Sequence, residues 1–222
     1  MIPLRDANPS RSFPFMIILL IGANVAIFLY ELSLSKALND LFNNWALIPD
    51  DFTGGVLNSF KRSYTLITSQ FLHGGWLHLI GNMWFLWIFG DNIEDHLGHF
   101  KFLLFYLLCG MAAGLTHIYT NPASPVPTVG ASGAIAGVMG AYTILYPRAK
   151  VLTLIPFFIF IHFVEIPAFI FLGIWFLIQF FSGTLALTAG DTFTGIAWWA
   201  HIGGFVVGII FVLLIPGKKK RF

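Results

Sequence analysis

Three short stretches carry polar side chains whose types and spacing suit acyl transfer. The first is Gly130-Ala131-Ser132-Gly133, a hydroxyl at the start of an apolar run. The second is Ala200-His201-Ile202-Gly203-Gly204, an imidazole near the start of another. The third is His78-Leu79-Ile80-Gly81-Asn82, in which two hydrogen-bond donors share one helical face. A neutral imidazole within hydrogen-bond reach activates a serine as nucleophile. Donors beside a helix N-terminus, where backbone N–H groups are free, stabilise the oxyanion that follows. Taken singly, each piece has a plainer reading. A serine at a helix start is an N-cap, and a lone helical histidine is a buried hydrogen-bonding residue. The serine motif is also not the G-x-S-x-G turn of soluble hydrolases, because Ala134 fills the last position.

The elements around these residues change that balance. Gly133, Gly137 and Gly140 are spaced by four and three residues and fall on one helical face. Gly204 and Gly208 follow His201 by three and seven, on the histidine's own face. Small-residue faces let helix backbones approach closely, and two such faces would bring the imidazole to the hydroxyl.

Composition says where these helices sit. Of the 222 residues 57% are hydrophobic and 10% charged, against about 25% charged in soluble domains. The expected fold class is therefore an all-α membrane protein. Six candidate spans appear: about Phe13–Leu34, Trp76–Ile93, Phe100–Tyr119, the shorter Ala131–Tyr146, one within Val151–Phe181 starting near Pro167, and Gly195–Ile215. They predict a six-transmembrane-helix bundle with a long first loop, Ser35–Gly75, lying in the interface and packed on the bundle. Three prolines, Pro122, Pro125 and Pro127, deliver an extended chain to Gly130. The short fourth span puts Ser132 below the membrane surface.

Six spans place both termini on one side. That side holds nine of the Lys and Arg residues: Arg5, Arg11, Lys101, Arg148, Lys150, Lys218, Lys219, Lys220 and Arg221. The other holds Lys36, Lys61 and Arg62, which predicts cytoplasmic termini. The cluster from Lys218 to Arg221 reads as a stop-transfer anchor. The run Phe15–Leu34 is long enough to span and is not followed by a small-residue cleavage site, so it reads as a retained helix. A net charge of +2 with no basic stripe gives no reason to expect nucleic acid. The single cysteine, Cys109, excludes an internal disulfide. No metal is expected: H-E-x-x-H is absent, His73 and His78 are five apart without a nearby acid, and His96 and His99 lie at the opposite end.

The ordered set His-x-x-x-Asn, Gly-x-Ser-Gly and Ala-His-x-Gly-Gly resembles the rhomboid family of intramembrane serine proteases, over roughly Ser59 to Ile215. The resemblance implies one transmembrane domain, residues 1–222 with a core of about 59–215. It implies Ser132 as nucleophile, His201 as base, and an oxyanion hole of His78, Asn82 and the Ser132 N–H. Gly130 would shape the turn, and Gly133, Gly204 and Gly208 would form the helix contact. Glu94 would hold the inner end of the second helix and His73 the first loop. The function implied is an intramembrane serine endopeptidase needing no cofactor, with transmembrane protein substrates and membrane lipids as partners. The setting expected is the plasma membrane of a prokaryote. The fifth helix with the segment Ser182–Thr194 would be the gate, and Ser69, Gln70, His73 and His78 would line a water path.

Two positions depart from the family pattern. Tyr64-Thr65 stands where many members have Trp-Arg in the first loop. Ala136 stands where an aromatic often packs on the histidine, so something else must orient His201. No acidic third member is evident. Asp191 reads as a solvated loop residue, and Glu165 as a residue near the terminal-side end of the fifth helix. The rival readings are a relative that binds transmembrane helices without cutting them, and a small channel or transporter. The first would lack the serine or the histidine, and the second would carry charges in several spans.

Overall fold

Glycine and proline set the element boundaries. A computed structural model describes residues 1–53, 55, 60, 62–157, 160–189 and 196–215. Lys61, Asp191, the 218–221 cluster and the outer ends of the expected core and last span lie outside the described residues. Helix α1 (Phe15–Ser33) starts directly after Pro14. The first loop folds into α2 (Leu38–Trp45) and the single turn α3 (Thr65–Thr68). Helix α4 (Trp76–Leu97) stops at Gly98, where φ is 82°, and α5 (His99–Thr120) begins at the next residue. Helix α6 (Ser132–Leu145) follows Gly130, and α7 (Ala168–Ala189) follows Pro167. Helix α8 (Trp198–Leu214) is the last.

Each expected span has its helix, but among the described residues three helices are long and apolar enough to cross a membrane: α1, α5, and α7 through Leu187. Helix α4 has the length, 22 residues, yet carries Asp91, Glu94 and Asp95 in its last turns. Helices α6 and α8 have 14 and 17 residues. Fourteen residues reach only about 21 Å, short of a hydrocarbon core of about 30 Å. Helix α6 does not need to meet lipid, because every residue from Gly133 to Tyr142 is buried within the protein. The outer faces of the other helices are apolar and open; Leu77 on α4 and Leu213 on α8 are 88% and 66% exposed.

The all-α expectation needs correction. Strands β1 (Ile2–Asp6), β2 (Lys150–Phe157) and β3 (Phe160–Pro167) form an antiparallel sheet in that order. Val151 and Thr153 are buried while Leu152 and Leu154 are only partly so, the period-two pattern of a strand. Bulk hydropathy does not distinguish such a run from a helix. Glu165 is therefore on β3, opposite Leu152, not on a helix, and pairs with Lys150 at 2.8 Å. Residues 182–189, expected in a loop, are the last turns of α7.

Polar side chains staple the bundle at its ends. Glu94, fully buried, accepts the N–H groups of Met16 and Ile17 at 2.8 and 2.9 Å, and His99 Nδ1 lies 2.5 Å away. A carboxylate thus satisfies two of the free donors in the first turn of α1. In the first loop Arg62 bonds to Asp51 at 2.7 Å and to the Asn43 carbonyl at 2.7 Å, and Tyr64 donates to the Asn44 carbonyl at 2.7 Å. Arg62 and Tyr64 thus anchor this loop without a Trp-Arg pair. Thr68 donates to the Trp45 carbonyl at 2.7 Å. Leu47 and Thr128 exchange backbone bonds of 3.1 and 2.8 Å, which tie this loop to the proline-rich segment.

Candidate active site

The site forms where the N-terminus of α6 meets α8. These helices touch through backbone. A methyl group added at Gly204 would land on the Gly133 carbonyl oxygen, one at Gly208 on that of Gly137, and one at Gly140 on that of Phe205. The side-chain directions of Gly133 and Gly137 are filled by Ala113 and Cys109 of α5. The glycines expected to serve one contact therefore serve a three-helix junction.

That approach puts His201 Nε2 2.8 Å from Ser132 Oγ, across 69 residues of sequence. Ser132 is the first residue of α6, and no side-chain bond caps that helix. The hydroxyl is engaged with the imidazole and not with its own helix. The other ring nitrogen, Nδ1, is 2.8 Å from Gln179 Oε1 on α7. Trp175, one turn earlier on α7, lies beside the ring at 6.0 Å between centroids. Trp198 meets it edge-on at 6.5 Å. The aromatic absent at Ala136 is thus replaced from a different helix.

Helix α4 brings the third piece. Gly130, with φ of 124°, passes so close that an added Cβ would stand 2.6 Å from His78 Nε2 and 3.5 Å from Asn82 Nδ2. Any other residue there would be strained and would displace the imidazole. The Gly130 N–H donates to the Ser69 carbonyl at 2.9 Å. Asn82 Nδ2 is 3.0 Å from His73 Nε2. An amide nitrogen only donates, so His73 accepts here, and Asn82 keeps a second N–H. Burial, with the neighbouring His78 second, pushes the pKa of His73 down to about 4. The backbone N–H of His73 donates to Glu31 of α1 at 3.1 Å. His73 thus joins the first loop, α1 and α4, and Glu94 acts on α1 as well as on α4.

A cavity of about 720 Å³ unites these groups; Ser132, His201, His78, Asn82, Gly130 and Gln179 all line it. Ser69 and Gln70 line it too, while His73 stands behind Asn82. Gln179, Trp175 and Glu31 were not anticipated from the sequence. Gln179 had a usable signal. From Ala168 to Ile178 every residue is apolar or glycine, so an amide in that helix is a polar group at membrane depth.

Comparison with known proteins identifies the family. The family profile of the rhomboid domain matches residues 61–218. The chain belongs to the rhomboid family. It is 33% identical to RHOMBOID-like protein 12, mitochondrial, of Arabidopsis thaliana, over 91% of this chain and 59% of that one. It is 29% identical to Rhomboid protein 1, mitochondrial, of Saccharomyces cerevisiae, over 86% of this chain and 51% of that one. Rhomboid protease GluP of Bacillus subtilis is 40% identical over 35% of this chain and 15% of its own length. This rhomboid thus spans between half and three-fifths of the length of these two mitochondrial relatives. Those two overturn the expected placement in a prokaryotic plasma membrane, because both are named as mitochondrial proteins of eukaryotes. The chain is an integral membrane protein; the prokaryotic assignment, and the cytoplasmic label on its termini, are withdrawn.

Proposed function

We propose that this rhomboid is an intramembrane serine endopeptidase that cleaves transmembrane segments of membrane proteins through a Ser132–His201 dyad. The observation that carries the reading is the 2.8 Å contact between Ser132 Oγ and His201 Nε2 at the wall of the cavity. Ser132 donates its proton to Nε2 and attacks the substrate carbonyl. The oxyanion meets His78, the free N–H of Asn82 and the backbone N–H of Ser132 at the start of α6. His201 returns the proton to the leaving amine, and water then hydrolyses the acyl-enzyme. The substrate helix must unwind locally, since a hydrogen-bonded helix withholds its carbonyls. No cofactor enters this scheme. It is set in one six-span domain covering residues 1–222, core about 59–215. Helices α4, α6 and α8 cross as part of the bundle, and the cavity opens away from the termini.

The test is covalent labelling of the purified protein with a fluorophosphonate, together with cleavage of a transmembrane reporter. Both should disappear in Ser132→Ala and in His201→Ala, because dyad members act as a unit. An unlabelled parent that still binds the reporter would instead identify a helix-binding rhomboid without peptidase chemistry. Full activity in purified Ser132→Ala would remove the nucleophile assignment.

A further inference from the structure

We infer that Gln179 is a positioning residue, which holds His201 in the tautomer that a base requires. The inference rests on the dyad reading. Gln179 is 6% exposed, and its carbonyl Oε1 faces His201 Nδ1 at 2.8 Å. A carbonyl oxygen only accepts, so Nδ1 carries the proton. In a neutral imidazole this leaves the Nε2 lone pair toward Ser132 Oγ, 2.8 Å away. The opposite tautomer would turn an N–H toward the hydroxyl and could take no proton from it.

The amide also matches the second half of the cycle. Once Ser132 has given up its proton, both ring nitrogens donate, and Oε1 accepts from Nδ1 without moving. A carboxylate would favour the imidazolium more strongly, but an ionised side chain in this helix is costly to desolvate. Glutamine supplies the acceptor without the charge. Trp175, on the same face of α7 and stacked on Phe205 at 6.2 Å, restrains the ring from its side. Helix α7 therefore orients a base carried by α8.

The experiment compares Gln179→Met, which keeps the length and loses the acceptor, with Gln179→Glu, which when ionised keeps only acceptors. The readouts are the fluorophosphonate labelling rate against pH, and kcat and KM on a transmembrane reporter. Gln179→Met should lose about 10- to 100-fold in labelling rate and kcat, with KM within twofold. Gln179→Glu should recover to within about threefold of the parent, with the acidic limb of its pH profile moved to higher pH by the imidazolium's new counter-charge. Parent-like labelling in Gln179→Met, or equal losses in the two variants, would overturn the positioning role and leave the dyad standing. Absence of labelling in the parent would remove the dyad and this role together.

Discussion

At the scale of single residues, His73 shows how much of the site is second-hand. It does not line the cavity, yet it accepts from Asn82 and so orients an amide that does. That bond needs a neutral ring, and burial holds the folded-state pKa near 4, against 6.5 for a free histidine. A histidine whose pKa is depressed by folding stabilises the fold above the unfolded value, and that stability is lost as pH falls toward the folded value. Between pH 7.5 and 5 the loss is about 2 kcal/mol. Asp6 works in the opposite sense: burial raises its pKa to about 6, so its contribution returns on acidification. Comparison with His73→Gln, neutral throughout, isolates the histidine. The parent in detergent should lose about 2 kcal/mol more than the variant over that interval, read by thermal unfolding. That Ser132, His201, His78 and Asn82 come together was legible in the sequence because polar residues are rare in membrane helices. Gln179 obeys the same rule, an amide after an unbroken apolar run, but lies outside the three motifs.

At the scale of elements, α6 and α8 are held by main chain on main chain. Gly204 and Gly208 face the carbonyl oxygens of Gly133 and Gly137 with no room for a side chain. Gly208→Val should push the helices apart, cost about 1–3 kcal/mol by overpacking, and reduce reporter cleavage at least tenfold. Preserved cleavage with an unchanged unfolding temperature would contradict the close approach. The glycine spacing announced this contact, though not the part α5 takes in it, because a helix face read from sequence does not name its partner. The sheet was less legible still. In β2 and β3 a strand's alternation is nearly hidden by apolar residues on both faces, and β1 pairs with β2 from some 150 residues away in sequence.

At the scale of the whole molecule, the ends of the bundle are tied by few but well-placed polar groups. Glu94 caps α1 from α4, Glu31 of α1 receives His73, and Tyr142 of α6 donates to Asp6 of β1 at 2.5 Å. Glu94→Ala would strand two N–H groups at a buried helix start, and should cost about 2–4 kcal/mol by thermal unfolding. Fluorophosphonate labelling at low temperature should be largely kept, because α1 stands outside the Ser132–His201 contact. The helices of the six expected spans were readable from hydropathy, but α2 and α3 of the first loop were not. The number of crossings was not, because a short helix wrapped in protein looks like a weak span.

The main-chain contact between α6 and α8 also governs how a molecule of this kind can be retuned. Where helices meet without intervening side chains, nothing remains whose exchange could adjust their spacing in small steps. The separation of hydroxyl and imidazole is then inherited whole or lost whole. Gradual change in reactivity has to enter through α7, whose Trp175 and Gln179 reach the ring from outside and can be exchanged one at a time. The bundle is divided into a half that cannot vary and a half that can, with His201 on the border between them.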